Sequence, residues 1–164
     1  MTLDDLDLAL VKALRDHPRA GPLELSRLTS VARGTVQARL SRLEEAGVIT
    51  GYGPDVDLHA AGFPVQAFVS LEIAQGALEE VRGALDAIGQ VVEAYATTGA
   101  HDVLCRVATA SHAELQETLI RLDRTPTVVR STSIVVLSEL IAHRVDPLLA
   151  TAAGGASRAP AYRR

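Results

Sequence analysis

The segment VARGTVQARLSRLEEAGVITGY, residues 31–52, sets an arginine-rich run directly before a glycine-bounded stretch of β-forming residues. It contains no lysine, and its acids come late, at Glu44 and Glu45. At roughly 100° per residue, Val36, Leu40 and Leu43 fall on one side of a helix. That spacing predicts a helix from about Arg33 to Ala46 with this side buried, stopping at Gly47, a residue suited to a C-terminal cap. The opposite face carries Gly34, Ala38, Ser41 and Glu45, flanked by Thr35, Gln37 and Arg42. Small residues at the centre of an exposed face allow close approach to another surface, and arginines at its edges can reach phosphates. Arg33, near the amino end, is placed for a bidentate contact with guanine.

The flanking sequence gives this run its context. Leu6, Leu10, Val11 and Leu14 have helical spacing within residues 4–16, and HPRAGP (17–22) breaks that helix. A second, short helix is expected from Pro22, a good first-turn residue, burying Leu23, Leu25 and Leu28. TSVA then makes a tight turn into the arginine-bearing helix. VITGYG and DVDLHAAGFP read as a short strand pair and a hinge. Residues 25–43 hold four arginines (Arg27, Arg33, Arg39, Arg42) and no acid. An isolated helix of this kind would be read as a solvated face whose arginines pair with Glu44 and Glu45. As the third of three helices joined by tight turns, with an acid-free stretch and a strand pair after it, it meets the requirements of a recognition helix in a major groove.

Beyond Pro64 the period changes. VQAFVSLEIA alternates, with Val65, Ala67, Val69, Leu71 and Ile73 on one face, as in a strand. GALEEVRGALDAIG has helical spacing, VVEAYATT and DVLCRVAT are strands, and SHAELQETLIRLDR is a helix with Ser111 as N-cap and Glu114 completing a capping box. VVRSTSIVVLSELIAH reads as a long final strand. The order βαββαβ is the split ferredoxin-like arrangement, one antiparallel sheet with both helices on one face. The expected organisation is a DNA-binding domain in residues 1–52, a hinge in 53–64, a βαββαβ domain in 65–145 and a disordered tail in 146–164, which has too few large apolar groups to pack.

Charge follows these divisions. Residues 1–52 carry 7 basic and 7 acidic side chains, residues 53–145 carry 6 and 12, and residues 146–164 carry 3 and 1, so the net charge of −4 conceals a locally basic surface. The single cysteine, Cys105, excludes an internal disulfide framework and suits a reducing cytosol; alternating with Val103 and Val107, it reads as a small core residue. Acids open the chain where a secretory signal would have bases, and no apolar run approaches the roughly 20 residues that span a bilayer. A soluble cytoplasmic protein without a membrane partner is expected. The five histidines (17, 59, 101, 112, 143) lack zinc-site spacing, and neither a metal nor a cofactor is expected.

Taken together, LDDLD (3–7), ELSRL (24–28), ARLSRLEEAGVITGY (38–52), TTGAHD (97–102) and STSIVVL (131–137) resemble the Lrp/AsnC family of leucine-responsive, feast/famine transcriptional regulators. The resemblance covers about residues 3–144. It implies an α+β chain in which an N-terminal winged helix-turn-helix is followed by a ferredoxin-like βαββαβ domain for effector binding and oligomerisation. It implies double-stranded DNA as a partner, contacted by Arg33, Gly34, Thr35, Gln37, Ala38, Arg39 and Arg42. It also implies a free amino acid as effector, held at subunit contacts by Thr97, Gly99, Ala100, His101, Asp102, Ser131 and Ser133, and a homodimer assembling to a tetramer or octamer.

The chemistry suits an amino acid: Asp102 can pair with its ammonium, and backbone N–H groups from Gly99 to His101 can hold its carboxylate. From the residues alone, 97–105 is also an ordinary hairpin in which Asp102 is a solvated turn residue. The chain departs from the family's pattern in four places. Ala32 replaces the usual serine cap, giving up about 1 kcal/mol. Gly34 replaces a larger residue at a cost of up to about 1 kcal/mol, less near a helix end. His101 stands in place of an aromatic residue, and Thr127 in place of a glycine.

The function expected is a sequence-specific transcriptional regulator whose DNA binding or assembly answers to a small molecule. The alternative is an effector-independent DNA-organising protein of the same fold. An enzyme using His101 and Asp102 as an acid–base pair is not expected, since neighbouring strand residues point to opposite faces and no nucleophile, metal set or phosphate loop accompanies them.

Overall fold

The computed structural model describes residues 2–153, which form two compact units, one from residues up to Asp55 together with those from Ile141 onward, the other from Val56 to Leu140. In the first unit, α1 (Asp5–Asp16) starts at a reciprocal capping box. The Asp4 carboxylate accepts from the Asp7 N–H at 2.9 Å, and the Asp7 carboxylate accepts from the Asp4 N–H at 3.0 Å. α2 (Pro22–Thr29) has Pro22 in its first turn and ends on Ser30, held in the left-handed region at φ 55°. α3 (Arg33–Glu45) starts without a side-chain cap at Ala32. It ends at Gly47, φ 68°, where Val48 N–H donates to Leu43 and Gly47 N–H to Glu44. Those two bonds are a Schellman motif, which requires the left-handed conformation glycine supplies.

Leu10, Leu25, Val36 and Leu40 form the core of this unit, with Leu6, Leu14, Val31 and Ile49 packed against it. Leu23 and Leu28, expected inside, are 52% and 47% exposed. A helix of eight residues buries one narrow side, and Leu23 lies roughly 200° around from Leu25. The expected strand pair after α3 does not form: residues 48–64 contain no strand. Gly51, Gly53 and Pro54 interrupt the first segment. In the second, the Asp57 carboxylate turns the chain by accepting from the His59 and Ala60 N–H groups.

Residues 146–153, expected to be disordered, form α6 (Asp146–Ala153). Its first residue, Asp146, is paired at 3.1 Å with Arg15 of α1, so one electrostatic anchor and Pro147 in the first turn organise a segment poor in large apolar groups. The rest of the expected tail, 154–164, lies outside the described residues.

The second unit contains β1 (Val65–Ile73), α4 (Leu78–Asp86), β2 (Val91–Ala96), β3 (Val103–Thr109), α5 (His112–Asp123) and β4 (Val128–Val135). The sheet is antiparallel throughout, in the order β2-β3-β1-β4. Ala67, Val69 and Leu71 of β1 and Val103, Cys105 and Val107 of β3 face the helices, packing against Val81, Leu85, Leu115 and Leu122. Cys105 is buried, and burial pushes its thiol up to about 11. The Ser111 hydroxyl caps α5 by accepting from the Glu114 N–H, but Glu114 reaches back to Ala110 rather than to Ser111, so only half the capping box forms. β4 stops at Val135, short of the expected long strand, because its partner β1 begins at Val65 and the ladder ends with Val136 N–H donating to Gln66. Among the described residues, no helix is long and apolar enough to cross a membrane.

Candidate DNA-contact helix and effector loop

Hydrophobic period places α3. Val36, Leu40 and Leu43 are buried, which turns Arg33, Gly34, Thr35, Gln37 and Ala38 to the exterior. Among the described residues Arg33 makes no ion pair. A Cβ built on Gly34 meets nothing within 4 Å, so packing within the chain does not demand glycine there.

Arg39 and Arg42 behave differently. Neither pairs with Glu44 or Glu45; both turn to the start of α1. Arg39 bridges Asp4 and Asp7, the latter at 3.1 Å, and Arg42 pairs with Asp7, whose side chain is fully buried. Burial acts to raise the Asp4 carboxyl, but the Asp7 N–H and the Arg39 guanidinium outweigh it and hold the group below its ordinary value. Glu44 instead accepts from the Tyr52 hydroxyl, whose pKa is pushed up to about 12 by burial and by that carboxylate. Asp4 and Asp7 are absent from the residues expected from sequence, because the spacing that brings them to α3 is tertiary.

The 97–102 loop is sewn onto the end of β1. Thr97 N–H donates to the Asp102 carbonyl at 2.8 Å, and the Thr97 hydroxyl to the His101 carbonyl at 2.8 Å. Asp102 N–H donates to Leu71, and the Asp102 carboxylate accepts from Ile73 N–H at 2.9 Å, where the β1–β4 register shifts. Gly99, at φ 111°, takes a conformation that side chains rarely adopt. His101 Nδ1 is buried without a hydrogen-bond partner, 3.8 Å from Glu72, and Arg130 approaches the same Glu72 oxygen at 3.9 Å.

The loop therefore gathers Thr97, Gly99, Ala100, His101 and Asp102 with Glu72 and Arg130, two charges not expected from sequence. Ser131 and Ser133 do not join them within one chain. They lie on β4 opposite Leu71 and Val69, on the helix-covered face rather than on Arg130's face, and the Ser131 hydroxyl donates to Asp123 of α5 at 2.6 Å. A separate cleft of about 710 Å³ opens between α4 and β2, where Gly83, Ala94 and Ala96 leave the space unfilled; no residue of the 97–102 loop lines it.

The comparisons with known proteins follow the same division. A family model described as Lrp/AsnC ligand binding domain matches residues 66–146, and one described as winged helix-turn-helix DNA-binding matches residues 3–50. The chain is similar to HTH-type transcriptional regulator FL11 of Pyrococcus horikoshii, 30% identical over 135 residues, 82% of this chain and 89% of the relative. It is similar to Regulatory protein AsnC of Escherichia coli, 30% identical over 148 residues, 88% of this chain and 97% of the relative. The solved structure of that AsnC aligns with a TM-score of 0.82 at 26% identity, covering 90% of this chain and all (100%) of the other. A transcriptional regulator from Neisseria meningitidis, solved as its L-Met complex, shares the fold with a TM-score of 0.79 at 23% identity, covering 90% of this chain and 99% of that one.

Proposed function

The chain belongs to the Lrp/AsnC family of DNA-binding transcriptional regulators, and from that premise we propose that it reads DNA through the outer face of α3 and answers to a free amino acid held at the 97–102 loop. The observation that carries the reading is the outer face of α3 itself: small and polar side chains at its centre and, at its amino end, Arg33, which makes no ion pair among the described residues. Arg33 is the candidate for base readout, with Gly34, Thr35, Gln37 and Ala38 on the surface that enters the groove. Arg39 and Arg42, with guanidinium groups engaged by α1, are peripheral to that surface.

For the effector, the Asp102 carboxylate has one oxygen on Ile73 N–H and Glu72 lies beside His101, so two carboxylates are available to an ammonium. Arg130 supplies a cation for a carboxylate. In one chain the two serines face the other side of the sheet from Arg130, so a site that uses them together with Arg130 draws them from another subunit. The protein acts in the cytoplasm as a homo-oligomer, a dimer or a higher even assembly.

Electrophoretic shift of the full-length protein on its own upstream DNA, repeated with a panel of free amino acids, tests both halves. Binding that weakens steeply with salt, and that one or a few amino acids alter, is expected. Loss of both sequence preference and response would sink the reading. The engagement of Asp102 by Ile73 N–H favours a second reading, in which the loop is only a turn and the protein organises DNA without an effector. Isothermal calorimetry with the same amino acids, showing no heat for any of them, would select it.

A further inference from the structure

The capping box of α1 is also the receptor for the arginines of α3. Asp7 is fully buried, and both its oxygens are occupied: Oδ1 by Arg39 at 3.1 Å, Oδ2 by the Asp4 N–H at 3.0 Å and by Arg42. Asp4 gives one oxygen to the Asp7 N–H and the other to Arg39. A buried carboxylate deprived of its cations is strongly unfavourable, so these pairs hold the guanidinium groups rather than merely meeting them. Two of the four arginines in the acid-free stretch 25–43 are thus neutralised at the place where a basic surface would otherwise form.

We propose that Asp4 and Asp7 are specificity-determining positioning residues: by holding Arg39 and Arg42 against α1, they withdraw two cations from the phosphates and leave discrimination to the stretch Arg33–Ala38. Phosphate contacts raise affinity for every sequence equally, whereas specificity is the ratio of binding at the chosen site to binding elsewhere. A regulator with fewer mobile cations on its recognition helix loses non-specific affinity and keeps its base contacts, so its ratio rises. The proposal rests on α3 being the DNA-contacting helix.

The test measures binding of the full-length protein by fluorescence anisotropy across a salt series, on a mixed-sequence duplex and on its own upstream fragment. Asp4→Asn keeps a good N-cap, since asparagine caps as well as aspartate, but removes one of the two charges that hold Arg39 and leaves it only the 3.1 Å contact with Asp7. It is expected to bind the mixed duplex more tightly and to steepen the salt slope by roughly 0.9 for each arginine released to a phosphate per bound subunit. The preference for the upstream fragment should fall. Arg39→Gln is expected to leave the slope unchanged. A merely structural clasp would lower thermal stability in both variants without moving slope or preference.

Asp7→Asn is expected to act more strongly, with thermal melting to establish its fold; Asp4→Asn, at a half-exposed position, carries the test whatever that melt shows. Arg33→Ala is the internal reference. If Arg33→Ala weakens binding while a folded Asp4→Asn leaves slope and preference alone, or if Arg39→Gln flattens the slope, the clasp proposal is overturned and α3 remains the DNA helix. If Arg33→Ala also binds as wild type, α3 does not touch DNA and both readings fall.

Discussion

Gly34 sits in the first turn of α3, exposed, with open space where a Cβ would stand. Alanine there gains up to about 1 kcal/mol of helix propensity, less so near the end, and meets no neighbour in the chain. Gly34→Ala should therefore melt at the same temperature or slightly higher. If α3 enters a groove at close range, the same variant should bind its DNA more weakly, because the added methyl stands on the contacting face. Unchanged affinity beside raised stability would show that close approach at residue 34 is not used. Asp102 is a second single-residue test. Asp102→Asn keeps a carbonyl oxygen to accept the Ile73 N–H, so the loop should hold, but the charge offered to an ammonium is gone. A charge-assisted bond is roughly twice as strong as a neutral one, and its loss should weaken amino-acid response by about 1–3 kcal/mol. DNA binding without effector should survive. His101→Phe should change which amino acid is preferred rather than abolish the response, since it replaces a polar neighbour of Glu72 by an apolar one. An effector titration equal to wild type in Asp102→Asn would make the residue a turn residue only.

At the scale of elements, local rules explain most of what forms and tertiary ones the remainder. The buried side of α3 was legible because Val36, Leu40 and Leu43 recur at helical spacing. The order of elements is legible because alternation and helical period succeed one another as βαββαβ. The exposure of Leu23 and Leu28 is not legible, because apolar character says nothing of which side of a short helix finds a partner. The strand pair after α3 failed because strand propensity needs a ladder, and glycines with a proline break it. α6 is not legible in the sequence because its anchor, Asp146 on Arg15, spans most of the chain. Of the candidate sites, the exposed face of α3 and the glycine turn at Gly99 were readable. The ion pairs joining Asp4 and Asp7 to Arg39 and Arg42 were not, since residues some thirty-five positions apart (a separation of 35 for Asp4–Arg39) meet only in the folded unit. Those pairs have a consequence for pH. The Asp4 carboxyl is held below its ordinary value of 3.8, so the folded state binds its proton less readily than the unfolded chain does. Its contribution to stability is complete above 3.8 and disappears as pH falls through the lower folded value. Thermal melts taken from neutral pH into that range should show wild type losing stability faster than Asp4→Asn, whose side chain does not titrate. Parallel curves would mean that Asp4 contributes nothing pH-dependent.

At the scale of the whole molecule, the second unit covers one face of its sheet with α4 and α5 and leaves the other without a helix. Register places Phe68 beside Ile134 and Leu104 beside Tyr95 on that second face, and Phe68, Tyr95 and Ile134 are 40%, 56% and 63% exposed. Beside them Arg106 is braced by Gln66 at 2.7 Å and by Glu93 at 3.4 Å, giving the apolar strip a polar, hydrogen-bonded border. An apolar strip with a polar rim is the form of a protein–protein surface, and two such sheets can pack about 10 Å apart. The occupant expected is a second copy of the chain. Ile134→Asp and Phe68→Asp each put a charge into that contact while leaving the helix-covered core untouched, so the second unit should fold and the mass by light scattering should fall to that of a monomer at micromolar concentration. Paired half-sites then cease to be engaged together, which removes about half the phosphate contacts made by each complex. DNA affinity should drop steeply and the salt slope should roughly halve, although no residue of α3 has changed. A variant that stays dimeric, or a monomer that binds DNA with the wild-type slope, would place assembly elsewhere and would separate it from DNA binding.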